Sequence, residues 1–481
     1  MTGPAIRPTP GTDADPLFER VAGSVRALVD SGALVAGDRA PSLRASASSM
    51  NVSVATVVRA YEELEREGRL EARARSGYFV AATPAAGLAA RRVRRPPAPR
   101  PVRTGERADE IFDSARAPGV LPFGVANPSP SLLPSKALGR ALRAVGAGSP
   151  EALLDYAPLA GEPDLRREIA ARATRTGAPT SPEDLVVTGG ATEALALALR
   201  AVARPGDAVA IETPAYFGLL RLLETLGLAA VGIDVHPVRG LPPEALEAVL
   251  ARERIAAVVS IATFHNPTGS LVPDAARERI VGACAGACVP LVEDDIYADL
   301  HAGAHRPRPY RSFDAGDTVI TCSSYSKTLA PGLRIGWAIS ARHRDALLRE
   351  KLVSSGSSPP LTQRAAARFL AEGRYDRHVA RLRRALREQL ARLRAAVHRH
   401  FPAGTRTSDP QGGFVLWVRL PGEVDARALY RRAIAEGISL APGALFSQDG
   451  RHHDHLRLAA GEPWTARHEA AIRRLGELAG A

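Results

Sequence analysis

Lysine is almost missing from this basic chain: of its 63 Lys and Arg residues, only Lys136, Lys327 and Lys351 are lysines. The formal charge of +12 is therefore carried by arginine, which never gives up its proton, whereas a lysine amine can be neutral and attack a carbonyl. Each of the three amines stands out for that reason. Codon bias towards arginine accounts for such a charge as well as an affinity for nucleic acid does. Cysteine is as scarce. Cys284, Cys288 and Cys322 are too few for a disulfide framework and match no zinc spacing, so no metal is expected and the chain reads as belonging to a reducing cytoplasm. No apolar run approaches the roughly 18 residues of a membrane span, and Met1 to Pro16 has polar and acidic residues where a signal peptide has its apolar core. No membrane partner is expected. What is present is an ordinary globular balance, 45% hydrophobic and 24% charged over 481 residues, enough for about three domain-sized units.

Leu17, Val21, Val25 and Leu28 fall on one helical stripe. Ser42 can cap a second helix carrying Leu43, Ala47 and Met50, and Ser53 a third with Val57, Tyr61 and Leu64 on one face. Two extended runs, Arg69 to Arg73 and Gly77 to Ala81, can pair as a hairpin wing. Residues 1–84 thus read as a helical head. Residues 85–110, AAGLAARRVRRPPAPRPVRTGERADE, read as an extended Pro/Arg linker that cannot bury apolar surface. Beyond it, strand-like runs (Leu185 to Thr188, Ala208 to Glu212, Ala256 to Ala262, Leu291 to Glu293, Val319 to Cys322) alternate with helical stretches such as Ala194 to Ala203. That alternation predicts an α/β domain over 111–481 with a mainly parallel sheet: a large lobe of about 150–355 and a small α+β lobe from about 111–149 and 356–481. The small lobe includes a long Arg-rich helix after Gln363 and a strand over Gly413 to Arg419.

Chemistry concentrates in five short motifs. Ser324-Tyr325-Ser326-Lys327, with Arg334 seven residues on, offers an amine that can form an imine with a phosphorylated aldehyde while hydroxyls and guanidinium grip its phosphate. The cofactor so implied is pyridoxal 5'-phosphate; a solvated loop lysine is the plain alternative. Asp294, in VPLVEDDIY, can keep a pyridine nitrogen protonated, which the electron-sink chemistry of that ring requires, and Tyr297 can return its hydroxyl to the ring's phenolic oxygen; a surface acidic cluster reads equally from these letters. Asn266, in HNPTG after a strand, points into the crevice where open α/β sheets bind ligands, or simply makes a turn. Thr188-Gly189-Gly190-Ala191-Thr192, between strand and helix, can cradle a phosphate on free N–H groups. Tyr216, in ETPAYFG, can stack on a ring or fill a core. Tyr156 and Arg457 mean little alone.

The order and spacing of the whole set resemble the fold-type I aminotransferases from about Pro122 to the C-terminus. The resemblance implies that Lys327 forms the internal aldimine and shuttles the proton, Asp294 pairs with the pyridine nitrogen, and Asn266 and Tyr297 bind the phenolic oxygen. It also implies that Ala191, Thr192, Ser324, Ser326 and Arg334 hold the phosphate, that Tyr216 stacks on the ring, and that Arg457 takes an amino acid's α-carboxylate. A homodimer follows too, because the residue matching Tyr156 reaches the phosphate of the neighbouring subunit.

The stretch RAPSLRASASSMNVSVATVVRAYEELEREGRLEARARSGYFVA resembles the winged helix-turn-helix of GntR-type regulators, whose second motif helix enters the major groove. The resemblance implies that Ser42, Arg44, Ser53, Thr56 and Arg59 face double-stranded DNA, with Arg75 and Gly77 of the wing at the adjacent groove. Val54 departs from the pattern, since many relatives have arginine there. Residues 1–84 carry ten Arg against ten Asp plus Glu, so DNA binding must rest on a one-sided charge distribution; a helical domain for protein contacts is the other reading. Head, linker and aminotransferase-like domain together resemble the MocR subfamily of transcription regulators. The expectation is a regulator that binds an operator and senses an amino acid, another amine or the vitamer itself through aldimine chemistry at Lys327. The alternative is a working aminotransferase acting on an amino acid and a 2-oxo acid.

Overall fold

Two compact units make up the chain, Met1–Gly87 and Leu88–Ala481. The structure, a computed structural model, describes residues 17–30, 34, 38–66, 69–73, 77–80, 98–102, 113, 117–303, 305–422 and 424–480. Arg75 and most of the expected linker lie outside the described residues.

The first unit contains three helices, Leu17–Asp30, Leu43–Met50 and Val54–Arg66. Ser42 caps the second by accepting the Ala45 N–H at 3.2 Å, and Asn51 ends it in the left-handed conformation (φ 52°), which releases the chain into a tight turn. Ser53 then accepts the Thr56 N–H at 3.1 Å at the head of the third helix. Val21, Val25, Val57, Ala60, Tyr61 and Leu64 are buried together, the spacing of amphipathic helices around one core. Leu17, expected on that stripe, is 54% exposed. Tyr61 crosses the core to donate to the Pro41 carbonyl at 2.9 Å and to meet the Ser46 hydroxyl at 2.9 Å. Strands β1 (Leu70–Arg73) and β2 (Gly77–Val80) pair antiparallel as the wing.

In the second unit the strands follow as β3 (Arg100–Pro101), β4 (Leu121–Pro122), β5 (Leu185–Thr188), β6 (Ala208–Thr213), β7 (Ala229–Asp234), β8 (Ile255–Ser260), β9 (Leu291–Asp294), β10 (Val319–Ser324) and β11 (Gly336–Ile339). Eight of them form one sheet in the order β3-β7-β6-β8-β9-β10-β11-β5. The run from β7 through β10 is parallel, while β11 is antiparallel to both neighbours. Buried on both faces, β6 (AVAIET) and β8 (IAAVVS) carry no polar alternation, as expected of central parallel strands. Inside the large sheet β7 (AAVGID), weakened by alanine and glycine, and β11 (GWAI), only four residues long, escape the sequence pattern. The linker expectation also needs correction at its described part. Arg100–Pro101 pairs with Ala229–Ala230 at the sheet edge, and Val102 is buried in the core of the large sheet; one apolar residue after a paired edge strand suffices to dock it.

The remaining strands are β12 (Arg406–Thr407), β13 (Val415–Arg419), β14 (Ile438–Ser439), β15 (Ala441–Pro442) and β16 (His455–Ala459). An antiparallel sheet β12-β13-β16-β15 stands apart from the large one, and β14 pairs parallel with β4. The 27-residue helix Arg374–His400 buries Leu382, Leu386, Leu390, Leu393 and Val397, an i, i+3, i+4 stripe, in a core shared with Leu416, Val418, Leu456 and Leu458. Among the described residues no helix is long and apolar enough to cross a membrane.

Tyr61→Phe leaves the Pro41 carbonyl and the Ser46 hydroxyl short of a partner in the first unit's core, at a cost of about 1–3 kcal/mol. Amide exchange should quicken over residues 43–66 and stay unchanged over 185–480.

Candidate cofactor site

Strand ends of the large sheet deliver the site. Thr188 closes β5, Asp294 closes β9 and Ser324 closes β10, while Tyr216 follows β6 and Asn266 follows β8. All sit beyond the carboxyl edge of the sheet, where open α/β sheets leave a crevice. A cavity of about 520 Å³ opens there, lined by residues that include Ala191, Thr192, Tyr216, Asn266, Asp294, Tyr297, Ser326, Lys327, Arg334 and Arg457. Ten separate sequence expectations thus converge on one space. Ser324 does not line it: its buried hydroxyl accepts the Ser326 N–H at 3.2 Å and shapes the turn instead. Tyr156 is 89% exposed and also stands apart from the lining.

Lys327 sits in the turn after β10. That turn is braced from the long helix, where the Tyr375 hydroxyl meets Thr328 Oγ1 at 2.8 Å and His378 Nε2 meets the Thr328 carbonyl oxygen at 2.7 Å. The Lys327 amine donates to the Ala126 carbonyl at 2.8 Å and to Asn127 Oδ1 at 2.6 Å. Burial, the Arg457 charge and the Arg334 charge lower its pKa to about 8, against a smaller opposing pull from Asp294. Burial and the neighbouring Asp295 push the Asp294 carboxyl up to about 7, and its Oδ1 is buried with no hydrogen-bond partner. Asn266 Nδ2 donates to the Tyr297 hydroxyl at 3.5 Å, and Arg457 Nη1 donates to Asn266 Oδ1 at 3.2 Å. Arg457 is itself fully buried: burial lowers its pKa to about 10, and its Nε lacks a partner.

Across the cavity, the helix Ala191–Val202 begins after Gly190, which supplies no side-chain cap. Gly190 has φ +117°, a region that favours glycine, and any Cβ there would strike the Arg334 guanidinium. Arg334 is itself left-handed (φ 53°) after the turn Pro331–Leu333, and its guanidinium donates to the Gly189 carbonyl. Uncapped N–H groups and a guanidinium over one glycine turn make a cradle for an anion.

Pyridoxal phosphate fits this set. Its pyridinium N–H answers the orphaned Asp294 Oδ1, its phosphate answers the cradle at Gly190 and Arg334, and Lys327 supplies the one amine lining the cavity. Asn127 escaped sequence reading, although its Asn-Pro step in VANPSP repeats the letters of HNPTG.

In the first unit, Ser42, Arg44 and Ser53 are exposed and Thr56 is half-buried, while Arg59, also exposed, lies over the Phe18 ring at 4.1 Å. Gly77 opens β2 with φ +95°. Val54, in the first turn of the third helix, is 45% exposed.

Comparison with known proteins agrees with this division. Residues 119–475 match the model of aminotransferase class I and II, and residues 17–80 match that of the bacterial regulatory proteins of the gntR family. The chain is similar to the HTH-type transcriptional regulator YdcR of Escherichia coli (strain K12), 36% identical over 96% of this chain and 98% of that protein. It is also similar to YjiR of the same strain, 32% identical over the same shares. Among solved structures, LysN, an alpha-aminoadipate aminotransferase from Thermus thermophilus complexed with N-(5'-phosphopyridoxyl)-L-leucine, is 29% identical, with TM-score 0.71 over 77% of this chain and 96% of that one.

A lysine at pKa about 8 is neutral in about 9% of molecules at pH 7, 50% at pH 8 and 91% at pH 9. Capture of pyridoxal phosphate by cofactor-free protein should therefore quicken about fivefold from pH 7 to pH 8 and level off above pH 9. Stopped-flow absorbance checks this; a tenfold rise per pH unit continuing to pH 10 would indicate an ordinary lysine.

Proposed function

We propose that this chain, which belongs to the MocR subfamily of GntR-type transcription regulators, is a DNA-binding regulator that senses an amino acid, another amine or the vitamer itself through condensation at Lys327. One observation carries the reading: a winged helix-turn-helix head and a cavity holding Lys327, Asp294 and Arg457 occur on the same polypeptide. The family's cofactor is pyridoxal phosphate, which, when bound, supplies an aldehyde carbon and an electron-withdrawing ring. The protein's residues supply the rest. Lys327 offers an amine that sheds its proton near physiological pH. Asp294 holds a proton at the ring nitrogen, Asn266 and Tyr297 face the phenolic oxygen, and Tyr216 stacks on the ring. Ala191, Thr192, Ser326 and Arg334 hold the phosphate, with Ser324 fixing their turn. Arg457, buried and charged, receives the carboxylate of an amino acid ligand; an amine without one forgoes that contact.

The assembly is a homodimer working on cytoplasmic DNA. Tyr156, together with exposed Leu153 and Leu154, seats against the second copy and completes its phosphate site. Ligand capture changes how the small lobe closes, and the dimer passes that change to the spacing of its two heads. A ligand favouring one arrangement by about 1–3 kcal/mol shifts operator affinity about five- to 150-fold. At the head, Ser42, Arg44, Ser53, Thr56 and Arg59 meet phosphates or base edges, and Arg75 and Gly77 of the wing meet the adjacent groove.

Lys327→Ala should abolish the visible absorption of the cofactor-loaded protein, and a persisting band refutes the assigned amine. Steady multiple turnover of an amino acid with a 2-oxo acid would overturn the regulator reading in favour of an aminotransferase. Binding to a repeated or palindromic DNA site should be salt-sensitive and lost on deleting residues 1–84. Val54→Arg adds a phosphate contact and should steepen the slope of log K against log[salt] by about 0.9; an unchanged slope places that helix away from the backbone.

A further inference from the structure

Of the three lysines, Lys351 has no part in the cavity, yet it is as deeply buried as any charged group in the chain. It lies on the helix Arg344–Ser354 with 0% exposure. Its amine donates to Glu193 Oε1 at 3.1 Å and to the Ser355 and Ser358 hydroxyls at 3.2 Å each. Glu193 belongs to the first turn of the helix Ala191–Val202, and its other oxygen accepts the Gly189 N–H. A Cβ at Gly189 would meet that oxygen at 2.8 Å, so the turn and the carboxylate are fitted to each other. Burial pushes the Glu193 carboxyl up, but hydrogen bonds from Ser355 and Gly189 and the Lys351 charge outweigh it and hold it below the usual range. The Gly189 carbonyl meanwhile accepts from Arg334. One residue of the glycine turn, Gly189, is therefore tied through its N–H to Lys351, by way of Glu193, and through its carbonyl to the guanidinium that faces the phosphate.

We infer that Lys351 is a positioning residue which, through Glu193, fixes the Gly189–Gly190 turn in the shape that receives the cofactor's phosphate. Its place in the fold extends the consequence. Ser355 and Ser358 lie in the stretch between the helix Arg344–Ser354 and the helix Pro360–Ala371, which leads into the long helix Arg374–His400 of the second core. The same ammonium thus holds the phosphate turn and the start of the chain's passage towards the long helix of the small sheet's core. A buried ion pair broken on one side leaves the other charge without compensation, whereas removal of both members is far milder. Glu193 without its lysine loses its reason to stay in place, and the Gly189 N–H loses its acceptor when the carboxylate turns towards water.

This inference rests on the cavity binding pyridoxal phosphate, so the test uses two vitamers that differ only in the phosphate. Cofactor-free full-length protein, wild type and the variants Lys351→Met, Glu193→Gln and Lys351→Met/Glu193→Gln, is titrated with pyridoxal phosphate and with pyridoxal, following the visible absorption. The expected result for Lys351→Met is a 10- to 100-fold weaker affinity for pyridoxal phosphate, with pyridoxal affinity within twofold of wild type. The double variant, in which glutamine still accepts from Gly189 and no buried charge is stranded, should recover to within a few-fold of wild type. Equal losses for both vitamers, or an unchanged affinity for pyridoxal phosphate, overturn the positioning role. Should Lys351→Met fail to fold, Glu193→Gln, which strands the buried ammonium instead, decides by the same ratio: a loss confined to pyridoxal phosphate is expected, and equal losses or none overturn the role. Failure of the wild type to take up either vitamer condemns the cofactor reading itself, a distinct outcome.

Discussion

The structure depends on keeping one amine short of solvation. Lys327, half-buried at the cavity wall, has two guanidiniums, Arg457 and Arg334, and one carboxylate, Asp294, around it. Burial and like charges disfavour its protonated form, and the carboxylate only partly offsets them. In a chain that uses arginine for almost every other base, that balance gives the site a nitrogen able to react near neutral pH. The carboxylate shares the problem: Asp294 is pushed up to about 7 by burial and by Asp295, and keeps one oxygen unpartnered. A cationic ring nitrogen relieves it. The cavity is thus electrostatically unfinished in the way that a protonated pyridine with an anionic tail would finish it.

Much of this was legible in the letters because the site's residues sit at strand ends. Where a strand is buried on both faces, as β6 and β8 are, its sequence is an unbroken apolar run, and the polar residue that ends the run marks the crevice. Asp294, Asn266 and the Ser324–Lys327 turn are read in that way. Capping reads equally well: Ser42 and Ser53 each accept the N–H three residues on. What stayed hidden depends on contacts distant in sequence. Asn127 touches Lys327 from 200 residues away, and nothing local marks it as a partner. Val102 follows an edge strand, β3, whose partner β7 is itself obscured by alanine and glycine. Lys351 and Glu193, 158 positions apart, are unremarkable until the fold joins them.

Two cores of the second unit, that of the small sheet and that of the large one, both reach the cavity. The long helix Arg374–His400 belongs to the core of the small sheet, and it also braces the Lys327 turn through Thr328. Arg457 lies on β16 of that small sheet, yet lines the cavity formed by the large one. A ligand that engages both Lys327 and Arg457 therefore has purchase on both cores at once. Differential contact of this kind is what a ligand needs to shift a conformational equilibrium.

With only three lysines in the chain, the central claim is open to a direct chemical measurement. Protein loaded with pyridoxal phosphate is reduced with borohydride, digested, and its peptides weighed by mass spectrometry. The account predicts the phosphopyridoxyl mass on the peptide containing Lys327 alone. A label on Lys136 or Lys351, or on no lysine at all, would contradict it.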